Sequence, residues 1–164
     1  MADGGVSSMI MLVTTLLLSG AASVVLIESW GNVVDANGDN SAGRVADAET
    51  DVSFSGDRGD VLLDTSGANQ EITLFFQNTG VRSLDKSSFS IFIDGVPSGT
   101  VGAATLYPAN GVWAPNYVLE VTVSDPSFNY LDQDIVIVTI VAQSISNDGS
   151  SGVDSETAEV RLSV

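Results

Sequence analysis

The longest apolar run in the sequence lies near the N-terminus and contains no charged residue. It extends from Val6 to Ile27 and comprises 22 residues. Since an α-helix rises about 1.5 Å per residue, such a run spans roughly 30 Å, the thickness of the hydrocarbon core of a bilayer. A core helix of a small domain would instead carry a polar face. The pattern therefore predicts a membrane-anchor helix within an N-terminal anchor segment, residues 1–30.

A cleavable secretory signal is the alternative interpretation of this run. Such a signal combines a basic N-terminal region with an apolar core of about 7–15 residues. Here the first five residues contain Asp3 but neither Lys nor Arg, and the apolar run is longer than such a core. These differences from a secretory signal favour a membrane anchor. Because Ala21, Ala22 and Ser23 resemble a cleavage site, processing at Ala22 stays open on the sequence.

Small and hydroxyl-bearing residues form a stripe along the predicted helix. Thr15, Ser19 and Ser23 follow one another at intervals of four residues, with Gly20 and Ala22 beside them. Small residues at this spacing let helices approach closely in lipid, and hydroxyl groups can form hydrogen bonds across the contact. The stripe predicts either helix–helix association or hydroxyls that bond to carbonyls of their own helix.

A segment rich in Gly, Asn and Asp follows the anchor. Residues 31–49 show no sustained apolar period, so they are predicted to form a stalk or linker, with one short helical turn near Arg44–Ala48. Within it, Asp35, Asn37 and Asp39 match the first three ligands of a calcium loop. The match then fails, since Asn40 stands where that loop needs Gly and Ala46 where it needs Glu. A solvated acidic loop is the expectation.

Short runs of alternating apolar and polar residues, separated by turns, fill residues 50–164. The alternation is clearest in Glu71–Gln77, whereas Ile135–Ala142 is apolar on both faces and is predicted to be a central strand covered on both sides. This pattern predicts a mainly β domain, an immunoglobulin-like antiparallel β-sandwich. The expected strands are Thr50–Phe54, Gly59–Leu63, Glu71–Gln77, Phe89–Ile93, Thr100–Tyr107, Tyr117–Ser124, Ile135–Ala142 and Thr157–Val164, with a turn at Asp94-Gly95 and a loop at Asn147–Gly152.

Three aromatic residues of this domain have two interpretations each. Trp113 is predicted to plug the core or an edge, with ligand or partner binding as the alternative. Phe75 and Phe92 lie on the sides of their strands opposite the regular apolar rows. They indicate either strands buried on both sides or an exposed aromatic patch for a partner.

Composition excludes several classes of function. The chain has 21 Asp and Glu against 5 Lys and Arg, a net charge of −16, so binding to phosphate backbones is excluded and a halophilic source is expected. It contains neither Cys nor His, which removes thiolate and imidazole chemistry. We therefore expect a non-enzymatic protein with no catalytic, cofactor-binding or metal-binding residues.

The order of motifs after the anchor is informative. It contains ITLFFQNTG (Ile72–Gly80), Leu84, FSIFIDG (Phe89–Gly95), Trp113, Pro115 and VLEVTVS (Val118–Ser124). Together with the short N-terminus and the anchor, this order resembles the archaeal archaellum (flagellar) accessory proteins FlaG and FlaF, and FlaG more than FlaF. The resemblance covers the anchor and roughly residues 51–124. The Asn37–Gly43 insertion and the long segment after Asp125 depart from the pattern.

The resemblance implies a stationary component of the archaellum, a stator or accessory protein. It implies an anchor in the cytoplasmic membrane of an archaeon, with the sandwich on the extracellular side. It also implies contacts with other accessory proteins and with the S-layer, and hence a homo- or hetero-oligomer. All five Lys and Arg residues follow the anchor, so the positive-inside rule gives this orientation no support.

Two other functions remain open on the sequence. The first is a type IV pilin-like or archaellin filament subunit, although the basic residue and the early Glu of a prepilin signal are missing beside Gly4 and Gly5. The second is a tethered cell-surface binding module, which would require a concave site or a metal loop.

Overall fold

The computed structural model describes residues 3–98, 100–109, 111–146 and 149–164. In these residues one long helix, α1, precedes nine β-strands. The helix extends over Asp3–Glu49. The strands are β1 (Val52–Phe54), β2 (Val61–Asp64), β3 (Glu71–Asn78), β4 (Leu84–Ile93), β5 (Val96–Pro97), β6 (Thr100–Tyr107), β7 (Val118–Ser124), β8 (Ile135–Ser144) and β9 (Val153–Ser163).

Helix α1 continues through the segment that the sequence predicts to be a stalk or linker. Residues 31–49 are helical throughout, whereas only one short helical turn near Arg44–Ala48 was expected. Asn and Ser disfavour helices because their side chains compete for backbone groups. Here that competition is avoided, since Asn40 Nδ2 donates to the carbonyl of Ala36 and Ser41 Oγ to that of Asn37, each at 2.9 Å.

The chain divides into two compact units. One is Met1–Ser41, and the other is Ala42–Val164. The last eight residues of α1 therefore belong to the same unit as the strands, although the sequence assigned them to a stalk ending at residue 49.

The strands form a curled sheet whose order is β5-β4-β8-β9-β2-β3-β7-β6, with β1 paired to β3 beside β2. Among the described strands every pairing is antiparallel except that of β2 with β9, where Val61 lies beside Leu162 in a parallel register. The first four strands of this order make one layer and the last four make the other. The predicted immunoglobulin-like sandwich is confirmed.

Inward-facing residues of both layers form one core in the described chain. The row Ile72, Leu74 and Phe76 of β3 is buried, as the alternation predicts. The corresponding rows include Ile91 and Ile93 of β4, Leu119, Val121 and Val123 of β7, Val136, Val138 and Ile140 of β8, and Ala158, Val160 and Leu162 of β9.

Trp113 is fully buried within this core, as one of its two interpretations predicts. Its indole Nε1 donates to the carbonyl of Tyr117 at 3.0 Å, and its backbone forms a bridge with Leu84. The buried side chain of Asn78 donates to the carbonyls of Trp113 and Arg82, at 2.9 and 2.8 Å. Trp113 is therefore a core residue with satisfied polar contacts and is not exposed for binding.

The prediction that β8 is covered on both sides is wrong. Its inward positions are buried, but Ile135 and Ile137 on the other side are 57% and 48% exposed. The apolar residues on that side suggested a second covering layer, and the described chain supplies none.

Strand β5 was not predicted from the sequence. It follows the Asp94-Gly95 turn, where φ is 51° at Asp94 and 79° at Gly95. Positive φ at both residues gives the tight hairpin that Asp-Gly favours.

Candidate functional site

The N-terminal part of α1 is the candidate membrane anchor. In the part of the chain that the structure describes, α1 is the one helix long and apolar enough to cross a bilayer, with a mean hydropathy of 2.4 in its most apolar window. None of the described residues outside the helix covers that window. Leu16, Leu18 and Ile27 are each at least 65% exposed. Trp30, also exposed, follows the apolar run at a position that suits a membrane interface.

Two hydroxyls of the stripe on this helix are bonded to the helix's own backbone. Thr15 Oγ1 donates to the carbonyl of Met11 at 2.6 Å, and Ser23 Oγ donates to that of Ser19 at 2.9 Å. This is the second of the two arrangements expected from the sequence. Association of two such helices stays a prediction.

The last turns of α1 are bonded into the sandwich. Ala46 is fully buried, and Thr50 Oγ1 donates to its carbonyl at 2.7 Å. The Asp47 carboxylate accepts the backbone N–H of Val153 at 3.0 Å. Glu49 Oε2 lies 2.7 Å from Arg82 Nε, and this Arg side chain is only 14% exposed. These contacts connect the helix end to β9 and to the segment before β4.

The residues that partly match a calcium loop lie on α1. Asp35, Asn37 and Asp39 occupy alternate positions of a continuous helix, so the expected acidic loop is absent from this segment. A calcium loop needs a turn that lets successive side chains converge on one ion. Within the described residues no group of three or more acidic side chains converges in that way.

Two tyrosines bond to carboxylates, Tyr107 in β6 and Tyr130 in the connection between β7 and β8. Tyr130 donates to Asp94 Oδ2 at 3.1 Å, and burial, together with Asp94, raises the pKa of Tyr130 to about 12. Tyr107 donates to Glu120 Oε2 at 2.7 Å, a bond that also raises the pKa of Tyr107. Both phenols therefore stay protonated at neutral pH, which suits structural hydrogen bonds and not proton abstraction.

The outward side of β4, β8 and β9 forms what we call the apolar face. From Ser90 onwards in β4, and throughout β8 and β9, it carries five apolar side chains, several small polar ones, one acid and one base. The charged residues are Glu159, opposite Ile137, and Arg161, opposite Ile135. The face consists of Ser90, Phe92, Ile135, Ile137, Thr139, Val141, Gln143, Val153, Ser155, Thr157, Glu159 and Arg161.

A depression with a volume of about 420 Å³ lies at one end of the apolar face, between Ser90 and Val153. Its wall is shaped by a turn-like segment of β4, where the Asp85 carboxylate accepts the Ser87 hydroxyl at 2.6 Å and the Ser88 hydroxyl at 2.9 Å. The bond from the Ser87 side chain is the main reason that the pKa of Asp85 is lowered. The depression is therefore polar on one wall and apolar on the other.

The outward side of β2, β3, β7 and β6 forms what we call the acidic face. Its charged residues are Asp64, Glu71 and Glu120, with no base among the described outward positions. The other outward residues are Leu62, Thr73, Phe75, Gln77, Val118, Thr122, Ser124, Thr105 and Tyr107.

The two outward phenylalanines do not share a patch. Phe75 is half-buried on the acidic face and lines a cavity of about 170 Å³ with Phe54 and Thr73. Phe92 is half-buried on the apolar face, between Thr139 and Pro97. The interpretation as one exposed aromatic patch is therefore wrong. The sequence did not single out Glu159 and Arg161, although their alternation with Ala158 and Val160 places them on the outward side of β9. Ile137 was expected under a second covering layer, which the described chain does not supply.

Comparisons with known proteins add little to this description. No protein-family model matches the chain, and no curated protein matches it. Among solved structures it is similar to AggA, the major subunit of aggregative adherence fimbriae type I from Escherichia coli, with 11% sequence identity and a TM-score of 0.29. The match covers 70% of this chain and 93% of AggA. A similarity of this size carries no functional information.

Proposed function

We propose that the protein is a membrane-anchored, non-enzymatic accessory component of the archaellum, with the role of a stator. The observation that carries this proposal is the pairing, in one chain, of an uncovered apolar helix with a complete immunoglobulin-like sandwich. A stationary component needs a tether and a domain for protein contacts, and needs no catalytic group. The motif order from Ile72 to Ser124 and its resemblance to FlaG and FlaF supply the link to the archaellum.

The sandwich is suited to this role because its described strands form one core without a strand from a second chain. The parallel pairing of β2 with β9 joins the two layers, and both cover the same core. The outer faces of such a domain are available for contacts with partners. We propose that it lies on the extracellular side of the cytoplasmic membrane. There its partners would be other accessory proteins and the S-layer, with a surface of net negative charge that high salt screens.

Deletion of the gene in its host tests this proposal. We expect cells that still carry surface filaments but do not swim, scored together by motility assays and electron microscopy. Wild-type chain supplied in trans should restore swimming. Normal swimming with normal filaments would refute an archaellum role and favour a tethered surface-binding module, for which calcium-dependent melting is the next measurement.

A filament subunit of the pilin or archaellin type is the second candidate. One observation favours it: α1 continues without a break from its apolar part into the sandwich unit. This candidate predicts that deletion removes the filaments themselves. It also predicts a shortened N-terminus, so the intact mass of the mature chain separates it from an unprocessed stator component.

A further inference from the structure

We propose that residues 31–41 of α1, which we call the polar segment, form an extensible link that uncoils under tension and becomes helical again when the tension is released. The apolar part of the helix before it is held by the membrane, and the helix end after it is held by the strands. The proposal rests on the membrane anchor of the proposed function and not on the role in the archaellum. Its basis is the composition of the polar segment, its exposure and the contacts that follow it.

The polar segment has the composition of a poor helix. It contains Gly31 and Gly38, and each Gly inside a helix disfavours the helical state about fivefold relative to Ala. Asp35 and Asp39 lie four positions apart, at which distance like charges on a helix repel each other. No Lys or Arg lies within residues 31–41 to offset this repulsion. The sequence of the segment therefore favours the helix only weakly.

Packing against other described residues does not compensate for this composition. Every side chain of the polar segment is exposed, including those of Val33 and Val34. The side-chain hydrogen bonds of Asn40 and Ser41 return to carbonyls of the same helix. A helix of this length takes most of its stability from packing of one side, and the polar segment has no packed side. It is therefore close to the balance between helix and coil.

The end of the helix beyond the polar segment is fixed by close contacts. Ala46 is fully buried, and Glu49 Oε2 lies 2.7 Å from Arg82 Nε. Two glycines show how close the fit is. A Cβ atom added at Gly152 would overlap the carbonyl of Ala46, and one added at Gly80 would lie 2.6 Å from the carbonyl oxygen of Glu49. Uncoiling that starts in the polar segment therefore stops before Ala46.

The lipid sets the limit at the other end. Unpaired backbone N–H and C=O groups are strongly unfavourable in hydrocarbon, so the apolar run up to Ile27 stays helical in a bilayer. The polar segment begins directly after Trp30, where water can bond to the backbone groups that uncoiling releases.

The length of the polar segment sets how far the link can extend. Residues 31–41 measure about 16 Å as a helix and roughly 36 Å as an extended chain. The link can therefore lengthen by about 20 Å. A displacement of this size is absorbed in the polar segment before the load reaches the contacts at Gly80 and Gly152.

Hydrogen exchange of the full chain in lipid nanodiscs tests the stability of the polar segment. We expect its amides to exchange much faster than those of the anchor and of residues 46–49. Gly31→Ala combined with Gly38→Ala should slow this exchange by about tenfold or more, because Ala favours the helix and the added Cβ atoms have open space. Gly20→Ala is the matched control, since Gly20 also has open space but lies in the anchor. Protection of the polar segment equal to that of the anchor would overturn the proposal.

Pulling on single molecules measures the extension itself. The full chain, held in a bilayer by its anchor and pulled through a handle at Val164, should lengthen reversibly by about 20 Å before the sandwich unfolds. The double Gly→Ala variant should need a higher force for this step, and Gly20→Ala the same force as the unchanged chain. Unfolding of the sandwich without earlier lengthening would overturn the proposal. Extraction of the helix from the bilayer before either event would instead overturn the membrane anchor on which the link depends.

Discussion

The two layers of the sandwich are alike on the inside and different on the outside. Each contributes fully buried rows to the common core, such as Leu74 in one layer and Ile140 in the other. Outside, one layer carries three carboxylates, whereas the other carries a balanced pair of charges and exposed isoleucines. Packing requirements therefore constrain the two layers equally, and the difference between them lies in what each presents to other molecules.

If the inner sides of the two layers are packed equally well, matched core substitutions should cost similar amounts of stability. Leu74→Ala and Ile140→Ala each remove part of a fully buried side chain. Each should lower the free energy of unfolding by about 2–5 kcal/mol, because the lost contacts leave a cavity. Chemical denaturation followed by tryptophan fluorescence measures this. A cost below about 1 kcal/mol for one variant only would show that its layer is packed less tightly.

The two tyrosine–carboxylate bonds should respond differently to removal of the carboxylate. The hydrogen bond to Glu120 is the largest cause of the raised pKa of Tyr107, so Glu120→Gln should return that pKa towards 10.0. Burial is the largest cause for Tyr130, so Asp94→Asn should lower its pKa only partly from about 12. Tyrosinate absorbance against pH measures both, with Tyr107→Phe and Tyr130→Phe assigning the steps.

The raised pKa of Tyr130 predicts that the stability of the domain changes at alkaline pH. The pKa of Tyr130 is about 12 in the folded chain and 10.0 as the ordinary value. Its contribution to stability is therefore complete below about pH 10 and is lost as pH rises through about 12. Tyr130→Phe should flatten the stability profile in that window. A profile that the substitution leaves unchanged would contradict the assignment of this pKa.

The smallest expected effect on stability concerns the outer faces of the two layers. Thr122→Lys places a cation near Glu120 and Glu71 of the acidic face. It should raise the free energy of unfolding by about 0.2–1 kcal/mol at low salt. Ser155→Lys is its control on the apolar face, where its cross-strand partner Val141 is uncharged, and should give no gain. Equal gains from both variants would mean that the gain in the free energy of unfolding comes from the lower net charge and not from the local carboxylates.

The sequence predicted most strands because one side of each is buried. The alternation of Ile72, Leu74 and Phe76 identifies β3 and its inward side, and the same logic holds for β7 and β9. It failed on β8, because an apolar residue such as Ile137 looks the same in a sequence whether a layer of its own chain covers it or not.

Helix α1 was only half predicted, for a different reason. The apolar run was evident, but Gly31, Gly38 and Gly43 are poor helix formers, each costing about 1 kcal/mol relative to Ala. Local propensity therefore favoured a stalk. The contacts that hold the end of this helix, such as Asp47 with Val153, join residues 106 positions apart and leave no local signal. The apolar face was also not predicted from the sequence, because the strand register decides which residues of β4, β8 and β9 lie beside each other.

The parallel pairing of β2 with β9 has a consequence for the order in which the domain matures. It joins Val61 to Leu162, and Asp154 near the start of β9 accepts the backbone N–H of Val52. Neither contact can form until the ribosome has made β9, the last strand. Contacts between residues so distant in sequence also form slowly. The joining of the two layers is thus a late event in the folding of this domain, because it must wait for β9.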